Sequence, residues 1–342
     1  MNQAIVQTPE QFLTDFIAQA EKATKRIYLQ SMLFERGRFL ETLEPILIKK
    51  AKDGIDVQVT IDWVFNRYVE DKTILFPEIK NADRKYNEEV HQETKAIIKR
   101  WEEAGITFTI TNKPSLLTSV LPILGRNHIK IYLIDDAYAW IGGINLFDTA
   151  LSMIDFIVRM TDPAMIAAIA EQYFSVNEKR PNKNYRVAFP PHYEFLIDAG
   201  KKKDSLIYDE AISLIQHAKT SIIFMSQFLP DGKLLYALSL AGKRGVKIAI
   251  ITSDENNKSL ISFPYKVPYQ LLKKRVNTIP NCDLLHREKR VHAKLLVIDD
   301  EKAIFGSHNF TSIGVLLGTE EIAICTTDKP LVETLVKFSS TP

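Results

Sequence analysis

The chain has 342 residues, 46% of them apolar, and a formal net charge of +2. That length and apolar share suit about two domains with substantial cores, and the near-neutral balance excludes a basic nucleic-acid arm on a neutral body. Cys282 and Cys325 both lie in apolar, strand-like stretches and read as buried thiols of a reducing compartment; no Cys/His grouping suggests a metal.

In chain order, the N-terminus lacks the basic start and unbroken apolar stretch of a signal peptide. It reads as a capped helix: Thr8 is the N-cap, Pro9 takes the first helical position and Gln11 closes a capping box. Phe12, Leu13, Phe16, Ile17 and Ala20 form its apolar stripe. RIYLQSMLF is a strand, and GRFLETLEPILIKKAKDGIDVQVTI is a glycine-led helix, a glycine stop and a second strand. An insertion over residues 66–127 holds a charged helix at about 82–104, stopped by Gly105 and edged by Ile97, Ile98 and Trp101. It continues into an unusually apolar stretch, residues 113–126. This stretch is either interface core or a surface for acyl chains.

Then comes NHIKIYLIDD, which contains His128, Lys130 and Asp135, followed by Gly142-Gly143-Ile144-Asn145. Residues 177–192 are polar, basic and proline-bearing and read as a connection between a first half, residues 1–176, and a second, residues 193–342. The second half repeats the plan. A helix over residues 205–218 precedes SIIFMSQFL and DGKLLYALSLAGKRGVKIAII, and an insertion carries aromatic, leucine and lysine residues over 261–276. VHAKLLVIDD then supplies His292, Lys294 and Asp299, and Gly306-Ser307-His308-Asn309 follows at the same interval. No window reaches transmembrane length, so the chain is expected in the cytoplasm, bound at most to a membrane surface.

The spacing has a physical reason. The motif segments are apolar and β-branched, as in a buried strand. Side chains two apart on a strand share a face, so His128 and Lys130 point together, as do His292 and Lys294. The small residues Gly142-Gly143 and Gly306-Ser307 let backbone approach closely, and Asn145 and Asn309 each add an amide donor. Two imidazoles, two ammonium groups and two amides suit a phosphodiester: charge neutralisation, orientation, a nucleophile and an acid. Asp135 and Asp299 close the strands before a turn. There an aspartate more often fixes the turn than takes part in chemistry.

These residues resemble the phospholipase D superfamily, whose signature is HxKxxxxD followed by glycine-rich residues and Asn. The resemblance implies an α/β fold of two pseudo-symmetric α-β-α sandwich halves with the active site at their interface. It also implies a two-step reaction through a phosphohistidine without metal or cofactor. His128 would be the nucleophile and His292 the acid. Asp155 and Glu321 match the family position whose carboxylate bonds the far ring nitrogen of a histidine; Glu320 is the neighbouring alternative to Glu321, and the parallel with Asp155 favours Glu321. Ser307 and Gly143 would contact substrate. The motifs look most like those of bacterial cardiolipin synthases, which points to a phospholipid headgroup and a membrane surface as partners, and both hydrolysis and transfer fit. A metal-independent nuclease acting on DNA or RNA is the alternative, favoured by Asn309-Phe310-Thr311 and the basic residues near 273–290. A non-catalytic lipid-binding module is a third reading. Two intact motifs argue against it.

Overall fold

The computed structural model describes residues 4–64, 68–69, 72–73, 81–113, 125–177, 183–253 and 263–341. The chain divides into two compact units. One is Met1–Ser152 with Ile157–Pro181; the other is Asn182–Pro342 with Met153–Phe156.

The first unit runs β1 (Ala4–Gln7), α1 (Pro9–Ala20), β2 (Arg26–Ser31), α2 (Arg38–Lys52), β3 (Asp56–Asp62), the short pair β4 (Tyr68–Val69) and β5 (Lys72–Thr73), α3 (Asn81–Glu103), β6 (Thr107–Thr111), β7 (Ile131–Ile134), β8 (Tyr138–Gly142), α4 (Asp148–Ser152), β9 (Ile157–Met160) and α5 (Pro163–Asn177). Its main sheet has the order β1-β9-β8-β7-β2-β3-β6. β2, β3 and β6 run parallel, and the remaining neighbours pair antiparallel. The capping box at Thr8 and Gln11 is present and starts α1. Phe12 and Phe16 of α1 pack their rings on Tyr132 and Trp140. On the opposite face Tyr28 stacks on Tyr173 of α5, ring centroids 4.9 Å apart. Helices therefore cover both faces of the sheet, and β7 is buried at all four positions.

The second unit runs β10 (Tyr185–Phe189), β11 (Tyr193–Ala199), α6 (Leu206–His217), β12 (Ser221–Met225), α7 (Gly232–Lys243), β13 (Lys247–Ser253), α8 (Phe263–Val276), β14 (Cys282–Arg287), β15 (Leu295–Ile298), β16 (Lys302–Gly306), α9 (Ser312–Leu317), β17 (Glu320–Thr326) and α10 (Lys329–Ser340). Its sheet order is β10-β11-β17-β16-β15-β12-β13-β14. From β17 to β14 this reproduces the first sheet from β9 to β6, strand for strand and with the same pairing senses. A core of Phe224, Leu296, Ile304 and Ile250 packs with Ile207, Leu238 and Phe310 beneath α6 and α7.

Several details differ from the sequence expectations. β1 precedes the capped helix and pairs with β9, a strand too short to show a period. Residues 185–189, expected as connection, form β10 and pair along β11; the half-buried Tyr185, Val187 and Phe189 alternate with the exposed Arg186 and Ala188, a pattern the surrounding basic and proline residues obscure. The motif strands begin only after the lysine, at Ile131 and Leu295, with His128 and His292 on the approach. The apolar stretch at 113–126 lies outside the described residues from 114 to 124. Among the described residues no helix is long and apolar enough to cross a membrane.

Candidate active site

The two motifs build half-sites on one plan. In each, the lysine folds back on the histidine two residues before it. Lys130 Nζ donates to the His128 carbonyl at 2.6 Å, and Lys294 Nζ donates likewise to the His292 carbonyl. Both lysines are buried, as is His292, while His128 is half-buried. At the other end of each motif strand sits the aspartate, in left-handed backbone conformation with φ 53° at Asp135 and 55° at Asp299. The Asp135 carboxylate accepts from the backbone N–H groups of Thr24, Lys25 and Arg26 at 2.8–3.2 Å. Asp299 accepts from Lys219, Thr220 and Ser221 at 2.7–3.1 Å. Partial burial opposes ionisation of both carboxylates, but these N–H groups outweigh it and hold them below the usual carboxylate range. Their geometry ties β7 to the start of β2 and β15 to the start of β12. A four-residue strand spans roughly 13 Å, so neither aspartate reaches its own histidine.

The asparagines lie beyond β8 and β16. Asn145 is buried, and its Oδ1 accepts from the Leu33 N–H at 3.4 Å and lies 3.2 Å from the Ser31 hydroxyl. Its carbonyl end is thereby engaged, which leaves the amide N–H₂ as the end for a ligand. Ser226 occupies the place of Ser31 in the second unit but donates to the Asn309 main-chain carbonyl at 3.0 Å. Gly306 permits the close approach the sequence implied: a Cβ there would stand 2.2 Å from the Ile322 carbonyl oxygen.

The carboxylates separate the two motifs. Asp155 follows the first motif in sequence, yet it belongs to the second unit and bonds the second histidine, with His292 Nδ1 2.6 Å from Asp155 Oδ2. The Phe156 N–H binds the other carboxylate oxygen at 2.8 Å. Complete burial opposes the Asp155 charge, but the His292 ring and then the Lys294 ammonium outweigh it, holding the carboxyl below its ordinary range. The bond from Nδ1 to Asp155 fixes the orientation of the His292 ring. The main chain supports this arrangement, because the Ile154 carbonyl accepts from the N–H groups of His292 and Ala293 at 2.9 and 3.1 Å.

Glu321 holds the place in β17 that Asp155 holds before β9, and it is buried. Its carboxylate accepts the Ser307 hydroxyl. Ser307, expected to touch substrate, is fully buried and also receives the Ile322 N–H at 3.0 Å, so its hydroxyl is bonded on both sides within the unit. At Gly143, the other residue expected to touch substrate, no hydroxyl exists to perform that task for Asp155.

Residues the sequence reading missed hold the approach to His128. Asp62 ends β3 and is buried. It accepts the Asn127 N–H at 2.7 Å, Arg126 Nη1 at 3.0 Å and Asn112 Nδ2 at 3.0 Å. Burial pushes its carboxyl above the usual range, against the opposing pull of Arg126 and these donors. Asn127 in turn accepts from Gln30 Nε2 at 3.1 Å and from the Ile129 N–H at 3.0 Å. In the second unit Ser253 ends β13, and its hydroxyl accepts the Val291 N–H at 3.0 Å, the same main-chain position served by a neutral group. The only signal for Asp62 is an acid at the last position of the strand DVQVTID, where Val57, Val59 and Ile61 alternate with polar residues. Among the described residues no cluster of His, Cys, Asp or Glu could hold a metal ion.

Comparison with known proteins agrees with this architecture. The family described as "Cardiolipin synthase, PLD-like domain" matches residues 16–176 and 211–340. Cardiolipin synthase B of Salmonella typhi is 22% identical over 334 residues, covering 92% of this chain and 74% of that protein. The major cardiolipin synthase ClsA of Bacillus subtilis is 23% identical over 313 residues, covering 86% of this chain and 59% of that protein. The crystal structure of phosphatidylserine synthase from Haemophilus influenzae superposes with a TM-score of 0.69 at 15% identity, covering 98% of this chain and 85% of that one, which shows the shared fold. With two half-sites of the same plan and a family match over both units, the chain belongs to the cardiolipin synthase, PLD-like domain family and is a phosphodiesterase or phosphatidyltransferase of the phospholipase D superfamily.

Proposed function

We propose that the chain transfers a phosphatidyl group from one phospholipid to an alcohol at a membrane surface, through a phosphohistidine. The observation that carries this reading is the buried His292–Asp155 pair beside Lys294 in a chain whose relatives are cardiolipin synthases. The Asp155 carboxylate favours the imidazolium of His292, the form a general acid requires. His128 is then the nucleophile. A ring nitrogen of His128 forms the N–P bond as the P–O bond to the leaving alcohol breaks, and His292 gives that oxygen its proton. His292 next takes the proton of the incoming hydroxyl, whose oxygen forms a new P–O bond as the N–P bond breaks. Lys130, Lys294, Asn145 and Asn309 neutralise and orient the non-bridging oxygens. Asp155 and Glu321 orient the rings. Ser307 positions Glu321.

An alcohol reaching the intermediate gives transfer, and water gives hydrolysis. Labelled phosphatidylglycerol in vesicles, incubated in EDTA, separates these outcomes by product: a diphosphatidyl lipid with free glycerol for transfer, phosphatidic acid for hydrolysis. We expect the diphosphatidyl lipid. Cleavage of single-stranded DNA with phosphatidylglycerol left intact would replace the lipid reading.

A further inference from the structure

Helix α9 begins three residues after Asn309 and presents Ile313 and Leu316, 54% and 49% exposed, to solvent. Spaced by three, they share one face of the helix. The helix is fixed by its other side. The Ser312 N–H and hydroxyl donate to Asp231 at 2.7 and 2.6 Å, and Val315 packs on the core of the second unit. Its C-terminal end is wrapped by residues 200–203. The Lys203 N–H donates to the Val315 carbonyl at 2.8 Å, and a Cβ on Gly318 would stand 3.0 Å from the Lys202 nitrogen. Asp204 pairs with Lys201 at 2.7 Å, whereas Lys202 and Lys203 stand exposed beside the apolar face. At the N-terminal end of α9, Ser312 lies against Gly232 of α7. One turn further along α7 is Tyr236, 66% exposed.

The corresponding helix of the first unit is built differently. α4 buries Ala150, its exposed residues are Asp148 and Ser152, and Asp148 is engaged by the N–H groups of Arg38 and Phe39 at 2.8 and 2.9 Å. The apolar face on α9 is therefore not a by-product of the repeated fold.

We infer that Ile313, Leu316 and Tyr236, rimmed by Lys202 and Lys203, form a docking surface for an anionic lipid bilayer. The chemistry is complementary: two aliphatic side chains for the acyl boundary, a tyrosine for the interface and lysines for anionic headgroups. Position argues the same way. Ile313 lies four residues after Asn309, so the chain holds them within about 14 Å of each other, and a surface meeting the bilayer there brings lipid phosphates to the motif asparagine. The inference deepens the phospholipid reading and rests on it.

The test uses the full chain, co-sedimented with vesicles of phosphatidylcholine alone and of phosphatidylcholine mixed with phosphatidylglycerol. The wild type is expected to bind the mixed vesicles and to release as salt rises. Ile313→Ser with Leu316→Ser should weaken partitioning by about 30-fold. Lys202→Glu with Lys203→Glu should weaken it by at least about tenfold and abolish the preference for phosphatidylglycerol. Turnover on vesicles should fall with binding in both variants, while cleavage of a short-chain, water-soluble phosphatidyl ester stays unchanged, since no motif residue is touched. Unaltered vesicle binding by the serine variant overturns the docking surface and leaves the phosphatidyl-transfer reading standing. So does a change in oligomeric mass without loss of vesicle binding, which would assign the face to a second copy of the chain. Lost vesicle binding in the variants, with no phospholipid turnover by the wild type, would keep the surface and refute the reading of the reaction.

Discussion

The two half-sites share a frame and differ in what surrounds it. In both, a lysine bonds back to the histidine carbonyl and an aspartate gathers three main-chain N–H groups at the far end of the strand. These contacts are local or span neighbouring strands, so repeating the sequence repeats them. The approach to each histidine is held differently: a buried carboxylate paired with Arg126 holds the residue before His128, and a serine hydroxyl holds the residue before His292. The acids differ too. Asp155 bonds His292 directly, and Glu321 is engaged by Ser307, for which the first motif has only Gly143. The proposed mechanism gives the two histidines different roles and needs such inequality, because a nucleophile and an acid require opposite protonation from similar groups.

The comparison is broken most severely by removing the histidines. His128→Ala and His292→Ala should each cost at least about three orders of magnitude in turnover, and the double variant should lose little more, because the groups act as one unit. Near-normal rates in either single variant would show that the half-sites work independently.

Asp155→Asn sharpens it. We expect turnover about 100-fold lower with KM nearly unchanged. The alkaline limb of the pH–rate profile should move to lower pH, since an anion beside His292 is what favours its protonated form. A uniform fall in rate at every pH would reduce Asp155 to a packing role.

Asp62→Asn tests the approach to His128. It leaves Arg126 buried opposite a neutral amide and should cost about 3 kcal/mol in chemical unfolding, with turnover reduced about tenfold through the loosened Asn127. Ser253→Ala, the matched change in the second unit, removes one neutral hydrogen bond and should cost only about 1 kcal/mol. Equal losses would mean that the carboxylate and the hydroxyl do the same task.

The smallest effect concerns a buried acid with no counterpart in the first unit. Asp198 pairs with Glu321 in strand register and receives the Ser205 hydroxyl and the Leu206 N–H at the start of α6. Burial pushes its carboxyl up to about 7, with the nearby Glu321 charge adding to the rise. The folded protein therefore keeps this proton after the unfolded chain has lost it. Stability from this group is present at acid pH and declines as pH rises from the ordinary carboxylate value to about 7. Urea midpoints across that window should show the decline, and Asp198→Asn should flatten it. An unchanged slope in the variant would place the pH dependence elsewhere.

The sequence by itself determined the duplicated motif, the helix–strand order around each copy and the two-unit α/β plan. Those features rest on local information: a capping box at Thr8, apolar runs at strand length, glycine stops and a repeated spacing. It also marked His128, His292, their lysines and asparagines, because residue type and interval together state the chemistry. Only the tertiary structure assigned Asp155 to His292, since the four residues that carry it leave the unit of their own motif and join the other. Tertiary structure alone also identified Asp62, Gln30 and Ser31 as supports, and showed the bond between Ser307 and Glu321. Each of those roles depends on which strand lies beside which, and on burial that makes an unpaired polar group costly. No interval within one segment encodes it.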